Sequence, residues 1–448
     1  MTGGMVMRNI SKLGIAAVTA MTLLTACSGG TNNEASSKNG EGADAGKKTK
    51  LTVWHNFAGD DARAKTVRAK IEEFAASHPD VELDAQAIPP DGYRQRLSTV
   101  AAADEMPDVF LSYSGSHIKG FQESGLVQPI NELLDSKQEW KDNFLPGAFD
   151  GSTIDGSTYL APLAMSATSF LYYNADLFKQ NNVAVPKTWD ELMAAVAAFN
   201  KAGITPIALG NKAPWVAQST ILGSLADRVT GTEWFKKAVA QDGASFADPQ
   251  FVEALGYFKQ LVDANAFAKD ANTIDNTQAE QYFVQGKAAM MVSGAWTLTN
   301  LAATSEDELK KIDITVLPSV PGGKGEANTI TGGAGAGFAL SKKAEGDKKQ
   351  AALDFIYAVS GPETQKAIAE SNSMIMYKTE VDQSKVTSLY YKAFELVKTI
   401  GITPVYDAYL SAEAAEAINN GLQELMMGGK PETVAQNLQD AQARSLNP

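Results

Sequence analysis

Apolar positions fall along this chain in three regimes. Leu13 to Ala26 is almost wholly apolar or small, preceded by the basic residues Arg8 and Lys12. From Ser28 to Lys50 the only apolar residues are alanines, and such a segment has nothing to bury. From Leu51 onward, short apolar runs alternate with stretches of helical spacing. "KLTVWHNF" (Lys50 to Phe57) predicts a buried strand. Asp60 or Asp61 then caps a helix whose Val67, Ile71 and Phe74 share one face. "VELDAQAI" alternates as a strand should, Gly92 to Ala103 reads as helix, "MPDVFLSY" as strand, and Ile118 to Ser124 as a short helix. This order predicts an α/β fold with a parallel sheet covered by helices, whose ligands lie beyond the carboxyl ends of the strands. Those ends are the loops around His55 to Phe57 and Tyr113 to Ser116.

The alternation restarts further on. Asp155-Gly156 has the residues of a tight hairpin turn, and "TSFLYYNADLF" reads as strand into helix. "KTWDELMAAVAAFNKAG" carries a capping box, Thr188 with Glu191, and stops at Gly203. "ITPIALG" and "KAAMMVSGAW" predict strands, with a helix between them capped by Thr277. Helices at "AALDFIYAVS", at "PETQKAIAES" and from Ala412 onward follow, and a second α/β lobe is expected.

The single cysteine, Cys27, follows the first apolar run directly, and that run is shorter than the roughly 20 residues of a bilayer span. Leu24, Thr25, Ala26 and Cys27 resemble the Leu-small-small-Cys cleavage site of a bacterial lipoprotein signal. The resemblance implies cleavage before Cys27, diacylation of its thiol and an extracellular body held to the membrane by lipid alone, and the composition after Cys27 predicts a disordered tether over residues 27–50.

Formal charge is −13, and −15 without Arg8 and Lys12, so nucleic acid and anionic lipid are poor partners. His55, His78 and His117 lie too far apart for metal-ligand spacing. There is no Walker A loop and no Gly-x-Ser-x-Gly elbow, and "TITGGAGAGFALSKK" has Phe338 where a dinucleotide fingerprint needs glycine. No metal or cofactor is expected. Carboxylates are abundant, so a glycosidase-like pair stays open on composition alone.

"LTVWHNF", "YLAPLAMSATSFLYYNADLF", "VPKTWDEL", "PIALGNKAPW", "FVQGKAAMMVSGAW" and "GGAGAGFALSKKAE", in this order, resemble the extracellular solute-binding proteins of carbohydrate ABC importers, the maltose- and raffinose-type family. The likeness runs from Leu51 to about Ser371. It implies a non-enzymatic, monomeric, two-lobed periplasmic-binding-protein-like fold that passes an oligosaccharide from the cleft between its lobes to an ABC permease. It also implies crossovers near residues 164–168, 329–333 and 374–378. One lobe is then 51–163 with 335–373, the other 164–334 with 374–448. Sugar sites combine aromatic faces, which cover pyranose C–H groups, with polar groups for the hydroxyls. By motif position the stacking residues are Trp215, Trp296 and Tyr406, and the polar ones His55, Asn56, Ser112, Ser114, Ser166 and the Gly332–Gly333 backbone. Trp54 and Trp189 are expected in the core. The "IALGNKAPW" and "GGAGAGFAL" segments look closest to binders of raffinose, α-1,6-glucosides and fructo-oligosaccharides. Tyr172-Tyr173 resembles the paired tyrosines of ferric-ion binding proteins, but adjacent strand residues point to opposite faces.

Overall fold

A computed structural model describes residues 48–446. Cys27, the signal segment and the expected tether lie outside the described residues.

The N-terminal part supplies strands β1 (Thr49–His55), β2 (Val81–Ala87), β3 (Val109–Tyr113) and β4 (Val127–Gln128). A small hairpin, β5 (Thr153–Ile154) with β6 (Ser157–Thr158), and β7 (Ala161–Pro162) follow. Asp155 and Gly156 turn that hairpin with φ of 49° and 78°, the positive values its two-residue turn requires. β8 (Met165–Ala167) leads out, and β9 (Phe170–Asn174), β10 (Thr205–Ala208), β11 (Ala288–Ser293) and β12 (Ile312–Val316) build a second sheet. The chain then returns through β13 (Thr329–Ala334) and β14 (Ala336–Ser341), and β15 (Gly401–Pro404) comes last.

The first sheet runs β2-β1-β3-β14-β4, with β7 also on β14. β1 pairs parallel with β2 and β3, as the strand-helix alternation predicts. β14 breaks the pattern: it enters from far along the chain and lies antiparallel to β3 and β4. A local alternation cannot disclose a strand delivered from 220 residues away. The second sheet, β10-β11-β9-β12, is likewise mixed. Between the two, β8, β13 and β15 form a three-stranded sheet, with Gly332 opposite Ala167 and Pro404.

Helix ends follow local chemistry. Asp61 caps Ala62–Ser77, and the Thr188–Glu191 capping box opens Trp189–Lys201. The helix expected to be capped by Thr277 starts two residues earlier, because Asp275 is its N-cap and forms a capping box with Gln278. In β1 the buried side chains are Leu51, Val53 and His55. Trp54 stands on the opposite face, partly buried against the first hydrophobic cluster and under the Arg96 guanidinium, 4.5 Å from ring centre. Trp189 is in the core, with Nε1 donating to Gln260 at 2.9 Å. The helices Ala412–Met426 and Pro431–Leu446 pack their buried residues into the second hydrophobic cluster, beside those of the second sheet. No described helix is long and apolar enough to cross a membrane.

Candidate functional site

A cavity of about 1360 Å³ opens where β1, β3, β10 and β11 end, floored by β8 and β13. Its first wall comes from residues that follow β1 and β3. Once β1 stops at His55, Asn56 is free of the ladder and its Nδ2 donates to Tyr113 Oη at 2.7 Å. The Arg94 guanidinium lies over the Tyr113 ring at 4.3 Å, and His117 flanks that ring at 5.8 Å between centroids. Ser114 Oγ donates to Ala334 O, which ties this wall to the crossover strand β13.

The second wall is aromatic. Trp215 starts the turn Trp215–Ala217, which runs into a π-helical turn, Gln218–Leu222. Wide turns of this kind cluster at functional sites. Trp296 opens the short helix Trp296–Asn300 just beyond β11 and lies over Gly294, where no side chain intervenes. The two indoles meet edge to face, 5.6 Å apart at 74°, and Trp215 remains 38% exposed. Trp296 Nε1 has no protein acceptor. Such an arrangement offers a flat apolar face to a ligand.

Charges of both signs face the cavity. Burial raises the Asp407 carboxyl, and Arg94 across the cleft pulls it back. Burial raises the Tyr409 phenol and nearby Asp150 adds to this, while Lys236 opposes it. Burial, then Arg94, lowers His117 to about 4, so its ring is neutral at physiological pH. The opposing walls already touch: Gly115, at φ 79°, packs its Cα against the Ala408 carbonyl, and any Cβ there would overlap it.

Seven expected residues line this cavity: Asn56, Ser114, Ser166, Trp215, Trp296, Gly332 and Gly333. Three do not. His55 is 2% exposed because it shares the inward phase of Leu51 and Val53. Ser112 is buried within β3. Tyr406 stacks on Phe235 at 3.8 Å and 13°, and its neighbours Asp407 and Tyr409 face the cavity in its place. Arg94, Asn276, Asp407 and Tyr409 escaped the sequence reading, which named Tyr113 only as the start of a ligand loop. The Asp407 signal was present, one residue beyond the aromatic chosen in "PVYDAYL". Tyr172 Oη donates to Gly294 O at 3.0 Å while Tyr173 packs on Phe178 across the strand, so the two phenols do not converge on one ion.

His55 has a different consequence. Its Nδ1 accepts from Phe57 N–H at 3.2 Å, and burial, then Arg68, lowers its pKa to about 4. The unfolded chain therefore binds this proton more readily, and the stability His55 contributes above pH 6.5 is lost as pH falls towards 4. Equilibrium denaturation should show a decline on the order of 2 kcal/mol over that window, reduced in His55→Asn. An unchanged slope in the variant would refute this.

The profile of bacterial extracellular solute-binding proteins matches residues 58–366. The multiple sugar-binding protein of Streptococcus mutans is 26% identical over 358 residues, covering 78% of this chain and 77% of its own. A structure solved in connection with xylan utilization by the thermophilic bacterium Caldanaerobius polysaccharolyticus is 28% identical, with a TM-score of 0.78, over 87% of this chain and 99% of that one. A chitin oligosaccharide binding protein superposes with a TM-score of 0.80 at 23% identity, over 89% and 99% of the two chains.

Proposed function

The chain belongs to the bacterial extracellular solute-binding protein family, and on that premise we propose that it captures a neutral oligosaccharide for an ABC importer. The observation that carries this reading is the Trp215–Trp296 pair facing Asn56, Arg94 and Asp407 across one cavity. Indole faces cover the apolar side of a pyranose, and amide, guanidinium and carboxylate groups match its hydroxyls. Two pairs of the charged groups that line the cavity set opposite charges facing each other, Arg94 with Asp407 and Lys236 with Asp150, and these need no charge from a ligand. The names of the xylan-related and chitin-oligosaccharide neighbours support a sugar as ligand.

The finer reading is a raffinose-family, α-1,6-glucoside or fructo-oligosaccharide ligand, supported by the "IALGNKAPW" and "GGAGAGFAL" segments. One lobe comprises 51–163 with 335–373, the other 164–334 with 374–448. The sheet β8-β13-β15, which carries two of the chain's passages between the main sheets, supports this division. The body is a monomer, tethered outside the membrane through lipid on Cys27, and delivers the sugar to the permease unchanged.

A thermal-shift panel of neutral oligosaccharides tests the reading, since a ligand that binds only the folded state raises its melting temperature. We expect a shift with at least one sugar, a smaller radius of gyration in solution scattering, and full recovery of intact sugar by chromatography. Hydrolysis products that track the protein would replace the binder with a glycosidase.

A further inference from the structure

The helix Asn276–Val284 buries a carboxylate, Glu280, which is only 1% exposed. Three donors converge on it. Asn276 Nδ2 and Thr297 Oγ1 reach Oε1 at 3.1 and 2.7 Å, and Asn300 Nδ2 reaches Oε2 at 2.9 Å. The Ser293 hydroxyl stands 2.9 Å behind Thr297 Oγ1 and continues the chain. A group surrounded only by donors is matched by an ionised carboxylate, which accepts and never donates. Burial nevertheless pushes its pKa up. The titratable groups facing it, Asp275 from its own helix and Tyr172 from β9, carry no positive charge to offset this. A buried charge without a counter-ion is costly, and an apolar side chain would fill the space more cheaply.

What the carboxylate holds explains its presence. Asn276 lines the ligand cavity, and with Nδ2 committed to Glu280 its Oδ1 is left to accept from a ligand hydroxyl. Thr297 and Asn300 belong to the short helix that Trp296 opens, so two of the three bonds fix the element carrying the stacking indole. We propose that Glu280 is a positioning residue: its carboxylate locks Asn276 and the Trp296 helix in the arrangement that receives the sugar. This rests on the oligosaccharide reading of the cavity.

The test compares wild type, Glu280→Gln, Thr297→Val and Trp215→Ala by calorimetry. The probe is whichever of raffinose, isomaltotriose, kestose, xylotriose and chitotriose most raises the wild-type melting temperature. Glu280→Gln should bind more than tenfold more weakly, as expected for lost hydrogen bonds to a charged group, and Thr297→Val should lose part of that. Wild-type affinity should fall on acidification as the carboxylate takes a proton, whereas Glu280→Gln should lack that component. Asp407 and His117 titrate in both proteins, so the difference between the profiles isolates Glu280. If folded Glu280→Gln binds within about twofold of wild type with the same pH profile while Trp215→Ala fails, the proposal is overturned and the cleft reading stands. If Glu280→Gln does not fold, Thr297→Val decides: affinity within about twofold of wild type overturns the proposal. No wild-type shift with any sugar, or normal binding by Trp215→Ala, overturns both.

Discussion

Trp215→Ala and Trp296→Ala are each expected to weaken sugar binding by about 2–4 kcal/mol, more than tenfold in affinity, while the protein stays folded. Trp215 is more than a third exposed on the cavity wall, so its removal takes little from the core. Trp296 rests on Gly294 and meets Trp215 edge to face, which makes the two indoles one platform. The platform can also be spoiled without deleting an indole. A methyl at position 294 would overlap the Trp296 ring, so Gly294→Ala should push the ring aside and approach the Trp296→Ala affinity. Trp189→Ala is the contrasting control. That indole is 3% exposed and packs against Tyr257, so its loss should cost about 3–5 kcal/mol of stability and leave the affinity of folded protein unchanged. Calorimetry and denaturant melts on the four variants decide the matter. Normal binding by the folded Trp215 and Trp296 variants would place the ligand elsewhere.

A loss of similar size, in stability alone, is expected at Arg228. This side chain is 1% exposed, and its guanidinium donates to the carbonyls of Leu317, Thr329 and Ala327 at 2.7, 2.9 and 3.1 Å, and to Ser224. Burial lowers its pKa to about 10, which still leaves it charged at neutral pH. One cation thus fastens the end of β12's loop and the start of β13 to the helix Gly223–Thr230. Arg228→Met keeps the apolar stem but strips those carbonyls of their donor, and should cost about 3–5 kcal/mol. Urea unfolding measures it. A midpoint equal to wild type would show that water or a local shift replaces the guanidinium.

How much could be read from the residues alone depended on how local the determinant was. The Thr188–Glu191 box, the Asp155-Gly156 turn and the divergence of Tyr172 from Tyr173 each need only a few neighbours in sequence, and each was legible. The alternation in "LTVWH" was legible too, but its phase was misread. Leu51 and Val53 point inward, so His55 must follow them, while Trp54 takes the other face. The assignment of a ligand histidine went against that phase, while Trp54 packs only partly against the core from the other face. Tyr406 failed for another reason, since its partner Phe235 lies 171 residues earlier and no local pattern marks the pair. Arg94 and Asp407 approach one another across the cleft from opposite parts of the chain. Glu280 looked like any surface carboxylate on a helix until its three donors were in place.

β14 sits between β3 and β4, yet it is made more than 200 residues after either. No order of synthesis lets the first sheet close before residue 341 exists, and until then the edge of β3 has no neighbour on that side. Open edges with apolar faces recruit other strands, and contacts this distant in sequence slow folding. The emerging chain therefore passes through a long interval as half a sheet, during which it must be kept from wrong partners. The first sheet is completed only by an interior strand that is made after all of its neighbours.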